Sequence, residues 1–204
     1  MRNRWSVLYY ILAGMLLGST IGAHIAAESE GPMQLVQRLV QAIIRMKPTN
    51  NGKLANTEQT ANAAQAKEAN AILDIPAVAQ RTLGKHWQPL TPAQQQEFIA
   101  LLEQLLTKVA YPKSAEFFHG LEINFAKETI TGQRAVVRTT VKHPKEGLVS
   151  VDYRLAQAGS SWHVQDILLD DVSLVANLQS QFNKIITEHT YAELLRRMRD
   201  KLNE

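Results

Sequence analysis

The sequence predicts an α+β fold, with helices packed on one face of a curved, four-stranded antiparallel sheet. Three observations predict it. Apolar residues recur at helical spacing up to about Phe118 and again after Leu174. Between Leu121 and Leu168 the period drops to two. The alternating stretches are joined by short turns, which suit hairpins and leave no room for parallel crossovers. With 204 residues, the chain can bury a sizeable core within one domain.

The first 27 residues read as an address. Arg2 and Arg4 precede an apolar run from Trp5 to Ile21, and Gly22-Ala23-His24-Ile25-Ala26-Ala27 leads into Glu28-Ser29-Glu30. A cationic start, an apolar stretch and small residues make a secretory signal peptide over 1–27, with Ile25-x-Ala27 as its cleavage site. The run approaches spanning length, so an uncleaved anchor is the competing reading, but Gly14, Gly18 and Gly22 interrupt it. The expected location is a bacterial periplasm. With no cysteine in the chain, disulfides, thiolate zinc sites, iron–sulfur clusters, cysteine nucleophiles and a lipobox are excluded. The pI of about 9.2 owes much to the leader, without which the net charge falls from +3 to +1. Nucleic-acid binding needs a clustered basic excess, which is missing.

The elements follow in order. Leu35, Val36, Leu39, Val40, Ile43 and Ile44 form one stripe of an amphipathic helix, closed by the turn Pro48-Thr49-Asn50-Asn51-Gly52. Residues 54–71 are rich in Ala, Asn, Gln and Thr. They read as a polar surface helix or a connector that supplies no core. Asp74-Ile75-Pro76 opens a short helix that Gly84 closes. Thr91-Pro92-Ala93-Gln94 is a capping box opening a helix that carries Phe98, Leu101, Leu102, Leu105, Leu106 and Val109. Lys113 to Gly120 continues as a shorter helix with Phe117 and Phe118.

Strands follow at Leu121–Ala126, Ala135–Val141, Val149–Leu155 and Trp162–Leu168, turned at Thr131-Gly132, His143-Pro144-Lys145-Glu146-Gly147 and Ala158-Gly159-Ser160. One face is apolar and the other wet, with Arg138 and Arg154 expected to pair across strands with acids such as Asp152. Helices from Leu174 to about Glu188 and from Thr190 onward end the chain. By analogy of layout, a curved sheet capped by helices resembles the cone of NTF2-like folds, with an apolar pocket between layers.

Catalytic candidates are few. The His residues are never spaced three or four apart, so no metal pair sits on a helix, and no nucleophile elbow, Walker loop or dinucleotide fingerprint occurs. Asp166 shares the parity of Trp162 and Val164 and should point toward the apolar layer. There it would be a general base with a raised pKa, or a carboxylate held by backbone N–H groups or an Arg near the sheet edge. Asp170 and Asp171 suit the dipole of the helix that begins after Ser173. Arg196, Arg197, Arg199 and Lys201 crowd the last helix, either as a solvated end or as a docking patch for an acidic partner or lipid headgroups.

Four segments carry a family resemblance: Leu83-Gly84-Lys85-His86-Trp87-Gln88-Pro89-Leu90-Thr91-Pro92-Ala93-Gln94, Val151-Asp152-Tyr153-Arg154-Leu155, Trp162-His163-Val164-Gln165-Asp166-Ile167 and Val172-Ser173-Leu174-Val175-Ala176-Asn177-Leu178-Gln179-Ser180-Gln181-Phe182. In this order they resemble the MlaC-type, or toluene-tolerance auxiliary, family of periplasmic phospholipid-binding proteins, over about Ile72 to Leu202. The resemblance implies a non-enzymatic, monomeric carrier with no cofactor, its cargo a phospholipid. Its implied partners are an inner-membrane ABC transporter and an outer-membrane lipoprotein complex, between which it maintains outer-membrane asymmetry. On this reading residues 28–71 are an N-terminal helix and connector, forming one domain with the lipid-binding body of 72–204.

The physics agrees with that role. Two acyl chains hold about 30 methylenes, and at roughly 0.8 kcal/mol each their burial is worth on the order of 25 kcal/mol before ordering costs. The expected tail contacts are Phe98, Leu101, Leu102, Leu105, Phe117, Val149, Val151, Tyr153, Trp162, Val164, Val175 and Phe182. A carrier of another membrane lipid such as a hopanoid, a non-carrying adaptor docking through the basic last helix, and a pocket enzyme with Asp166 as base are the alternatives.

Overall fold

The computed structural model describes residues 30–47, 56–144 and 147–203. The leader expected over 1–27 and the turn at 48–52 lie outside the described residues. Helix α1 (Pro32–Ile44) buries Leu35, Val36, Leu39 and Val40, the stripe its spacing predicts. Helix α2 (Asn56–Ile72) corrects the expectation that this stretch supplies no core, because Ala66, Ala69 and Ile72 are buried. Alanine contributes little area, but its small side chain lets α2 lie close against α1.

Helix α3 (Ile75–Leu83) starts where Asp74 Oδ1 accepts from Ala77 N at 3.1 Å, and ends at Gly84, whose φ of +52° disfavours any residue with a side chain. In α4 (Pro92–Leu105) the expected capping box is reciprocal, with Gln94 N donating to Thr91 Oγ1 at 3.3 Å and Thr91 N to Gln94 Oε1 at 2.9 Å. A π-helical turn over Leu106–Ala110 carries α4 directly into α5 (Tyr111–Phe118). There the Tyr111 hydroxyl donates to Asn70 Oδ1 at 2.7 Å and Asn70 Nδ2 to Glu103 Oε1 at 2.9 Å, tying α2 to both helices.

The sheet is open and has five antiparallel strands in sequential order: β1 (Ile123–Thr131), β2 (Arg134–His143), β3 (Gly147–Ala158), β4 (Ser161–Leu169) and β5 (Val172–Ser173). The sequence reading of four strands missed β5, two residues long and too short to show a period. It exists because Asp170 and Asp171 adopt φ of 45° and 66° and fold the chain straight back onto Leu168 and Leu169. Asp170 therefore does not serve the helix dipole as expected; its Oδ1 accepts from Ser150 N at 2.9 Å. The sheet is not closed and ends on β1 and β5.

Two β-bulges break the alternation. In β1 the register shifts between Phe125 and Lys127, so Ile123 and Phe125 pair with Val141 and Thr139, but Glu128 pairs with Val137. Glu128 thus shares the helix-covered face, and its Oε2 accepts from Met33 N at 2.6 Å. The N-cap of α1 is Gly31, which has no side chain to offer, so β1 supplies the carboxylate that this helix end needs. In β4, Val164 pairs with Leu155 but Asp166 pairs with Arg154, leaving Gln165 as the extra residue. From there Ile167 and Leu169 face inward, while Asp166 and Leu168 face the other side.

The last helices, α6 (Leu174–Glu188) and α7 (Tyr191–Asn203), begin as expected at Ser173 and Thr190, each accepting from the backbone N–H three residues on. The molecule has two apolar cores. One joins α1, α2 and α5 to the inner face of the sheet; the other joins α3, α4, α6 and α7. Leu73 and Leu106 pack against both.

If Glu128 caps α1, Glu128→Ala should lower unfolding stability by about 1 kcal/mol, in the range of a lost N-cap. Urea titration should show a reduced midpoint at unchanged slope; an unchanged midpoint would mean that the contact carries no stability.

Candidate functional site

Two places in this fold have the character of a site. The first is the apolar layer between the inner sheet face and α1, α2 and α5. Of the expected tail contacts, Val149, Val151, Tyr153, Trp162 and Val164 come together here, all buried. Tyr153 stands out because its phenol is only 5% exposed. Burial alone pushes its pKa well above the usual range, with no hydrogen bond or charge to offset the desolvation among the described residues. A ligand carbonyl in the layer would be an acceptor for this phenol. The buried side-chain polar atom without a hydrogen-bond partner among the described residues is Gln65 Oε1 of α2.

The other expected contacts lie elsewhere. Phe98, Leu101, Leu102, Leu105 and Phe182 belong to the second core, where the Phe98 and Phe182 rings meet edge to face at 5.8 Å. Phe117 is half-buried and stacks at 4.9 Å on the His143 ring. The single apolar space imagined from sequence is thus divided between two cores, because α3, α4, α6 and α7 pack on one another, with α3 and α6 also meeting β4.

The second place is an open cleft of about 500 Å³ between α3, β4 and α6, and Val175 is the one expected contact that lines it. Asp166 lies here, on the face opposite to the one its parity predicted, because the bulge at Gln165 reverses the alternation. Its carboxylate is 3% exposed. Ser173 Oγ donates to Oδ2 at 2.7 Å, Val175 N donates to Oδ1 at 3.2 Å, and Arg154 Nη1 stands 3.6 Å from Oδ2. This is the carboxylate held by a backbone N–H and an Arg that was weighed for Asp166. The bulge also docks α3. Asp74 N donates to Val164 O at 3.1 Å, and Arg81 Nη1 to Gln165 O at 3.0 Å. Sequence reasoning missed Arg81 and Gln80, since nothing local marks an exposed Arg or Gln as part of a cleft; Gln179 lies in a segment that carries the family resemblance. On the same outer face Arg138 and Asp152 form the expected cross-strand pair, at 3.4 Å.

The basic last helix is largely neutralised. Arg196 bridges Glu193 at 2.8 Å and Asp200 at 2.6 Å, Arg197 also reaches Glu193 at 2.8 Å, and Arg199 pairs with Glu97 of α4. Hydrogen bonds from Arg196 and then Arg197 draw the Glu193 carboxyl down to about 2. No group of acidic and histidine side chains able to hold a metal occurs among the described residues, and no helix among them is long and apolar enough to cross a membrane.

An open antiparallel sheet with one helix-covered apolar face, and a polar cleft at its far strand, defines an α+β binding scaffold. A profile of the family described as MlaC protein matches residues 37–200, and the chain belongs to that family. Among solved structures, it is similar to a phospholipid-binding protein from Ralstonia solanacearum in complex with a phospholipid. That match has a TM-score of 0.69 and 19% identity, covering 85% of this chain and 98% of the other. No curated protein sequence matches the chain.

Two outcomes follow. Asp166→Ala should cost about 1–3 kcal/mol, since it strands the Val175 N–H and the Ser173 hydroxyl, whereas Asp166→Asn keeps an acceptor and should cost less. Thermal unfolding of both variants checks this order; equal loss would contradict it. Glu193 has a depressed pKa, so its ion pairs contribute above its ordinary value of 4.5 and are lost as pH falls toward about 2. A carboxyl titration followed by NMR should find its midpoint near 2, and a midpoint near 4.5 would mean that the arginines do not hold it in solution.

Proposed function

We propose that this protein is a soluble phospholipid carrier, holding acyl chains in the apolar layer between the inner sheet face and α1, α2 and α5. Membership in the MlaC family, over residues 37–200, is the observation that carries this reading. The fold shared with the Ralstonia protein, whose structure contains a phospholipid, supports it. Locally, the layer supplies apolar wall from Val149, Val151 and Val164, and the phenol of the buried Tyr153. An ester carbonyl of a glycerolipid is an acceptor of the right kind for that phenol. A hopanoid would fit the wall but offers no ester.

In the finer reading the leader over 1–27 is cleaved and the carrier works in the periplasm as a monomer. It exchanges lipid with an inner-membrane ABC transporter and an outer-membrane lipoprotein complex, and so maintains outer-membrane asymmetry. The adaptor alternative is disfavoured because Arg196, Arg197 and Arg199 are engaged by the protein's own acids. An enzymatic role has less support, because Asp166, its one candidate, sits beside Arg154 and caps α6 through Val175 N, which gives it a structural task.

Native mass spectrometry of protein purified from a bacterial periplasm without detergent should find a stoichiometric mass increment equal to a phospholipid. A lipid-free mass that persists after incubation with phospholipid vesicles would refute the carrier role. Tyr153→Phe adds a local readout. It removes a hydroxyl that bonds no protein group among the described residues, so the delipidated variant should be about as stable as the parent while retaining less lipid. Destabilisation with full lipid retention would place the hydroxyl outside the lipid site.

A further inference from the structure

The cleft between α3, β4 and α6 carries chemistry that acyl chains do not need. Two guanidinium groups enter it from different elements, Arg81 from the last turn of α3 and Arg154 from β3. Arg81 gives one N–H to Gln165 O, and its other donors remain available. Arg154 is half-exposed, and its approach of 3.6 Å to Asp166 is longer than a hydrogen bond. Asp166 is also held by Ser173 and Val175, one hydrogen bond on each oxygen, so Arg154 is not its sole partner. The amides of Gln80 and Gln179 line the same space, and neither bonds to a protein group among the described residues. Gln179 lies over Gly84, where an added Cβ would stand 2.4 Å from its Nε2, so the glycine makes room for that amide.

We propose that this cleft binds a phosphate-type oxyanion, with Arg81 and Arg154 as its charged donors and Gln179 as a neutral one. Guanidinium forks match the geometry of phosphate oxygens, and two of them converging from separate elements select an anion over a neutral polar group. A cleft of about 500 Å³ holds a phosphodiester with its polar substituent. The phosphate can come from a lipid headgroup or from a free phosphoanion. In the first form the inference rests on the carrier reading; the site itself does not.

Calorimetric titration of the delipidated protein with inorganic phosphate tests the site. The parent should bind, and Arg81→Gln and Arg154→Gln should each weaken binding about tenfold or more, the usual effect of losing a charge-assisted bond. Arg45→Gln, which removes an exposed cation at the end of α1, should change nothing. Because Arg154 also neighbours a buried carboxylate, Ala176→Glu provides a second test. Ala176 lines the cleft at the third helical position after Ser173, where a glutamate completes a capping box and supports the fold while repelling an anion. It should abolish phosphate binding without lowering the melting temperature.

Repeating the titration on protein loaded from phosphatidylglycerol vesicles separates the two sources. Loss of phosphate binding on loading assigns the cleft to the headgroup, and undiminished binding assigns it to a free phosphoanion. Absence of phosphate binding by the delipidated parent, or binding that Arg81→Gln, Arg154→Gln and Ala176→Glu all leave intact, overturns the inference. Phosphate binding by a protein that takes up no lipid would leave the site standing and remove the carrier role.

Discussion

The arrangement of this molecule depends on two extra residues in its sheet, Ala126 in β1 and Gln165 in β4, each of which reverses the in-and-out alternation of its strand. In each case the reversal brings a carboxylate to the N-terminal end of a helix. Glu128 meets the first turn of α1 on the inner face, and Asp166 meets the first turn of α6 on the outer face. Helix starts present unsatisfied N–H groups and a partial positive charge, so a carboxylate placed there by a neighbouring strand fixes where the helix sits on the sheet. The bulge at Gln165 also frees a carbonyl for Arg81 and sits beside the bond from Asp74 to Val164, so α3 docks at the same point. Without these shifts Glu128 would face solvent and Asp166 the apolar layer.

The same device separates two kinds of surface. Inside, Val151, Tyr153 and Val164 keep an apolar face under α1 and α2, suited to chains that need only to leave water. Outside, Asp166 and Arg154 found a polar cleft closed by α6. An amphipathic lipid has one part for each environment. A strand whose alternation stayed regular would have placed Asp166 in the apolar layer, where an ionised carboxylate is costly.

Much of this was legible in the sequence. The helical stripes of α1 and α4, the capping residues Asp74, Thr91, Ser173 and Thr190, and the hairpins at Gly132 and Gly159 are local features, and local chemistry governs them. The MlaC resemblance rested on such segments, and the family match covers residues 37–200. The misses share one cause. A bulge is read from the partner strand, so Asp166 was assigned to the wrong face. The two-residue β5 follows from backbone angles at Asp170 and Asp171 that no periodicity records. Ala66 and Ala69 joined the core because α1 came close enough to bury them.

By itself the sequence determined most of the helices and the four long strands, and the capped starts of α3, α4, α6 and α7, because capping, turn formation and hydrophobic period act within a few residues. The tertiary structure alone decided which expected contacts share a layer. It divided Val151 and Tyr153 from Phe98 and Phe182, and it brought Arg81, Arg154 and Gln179 around one cleft. Those positions are far apart along the chain, and their meeting depends on strand register and helix docking, which are properties of pairs of elements rather than of any one segment.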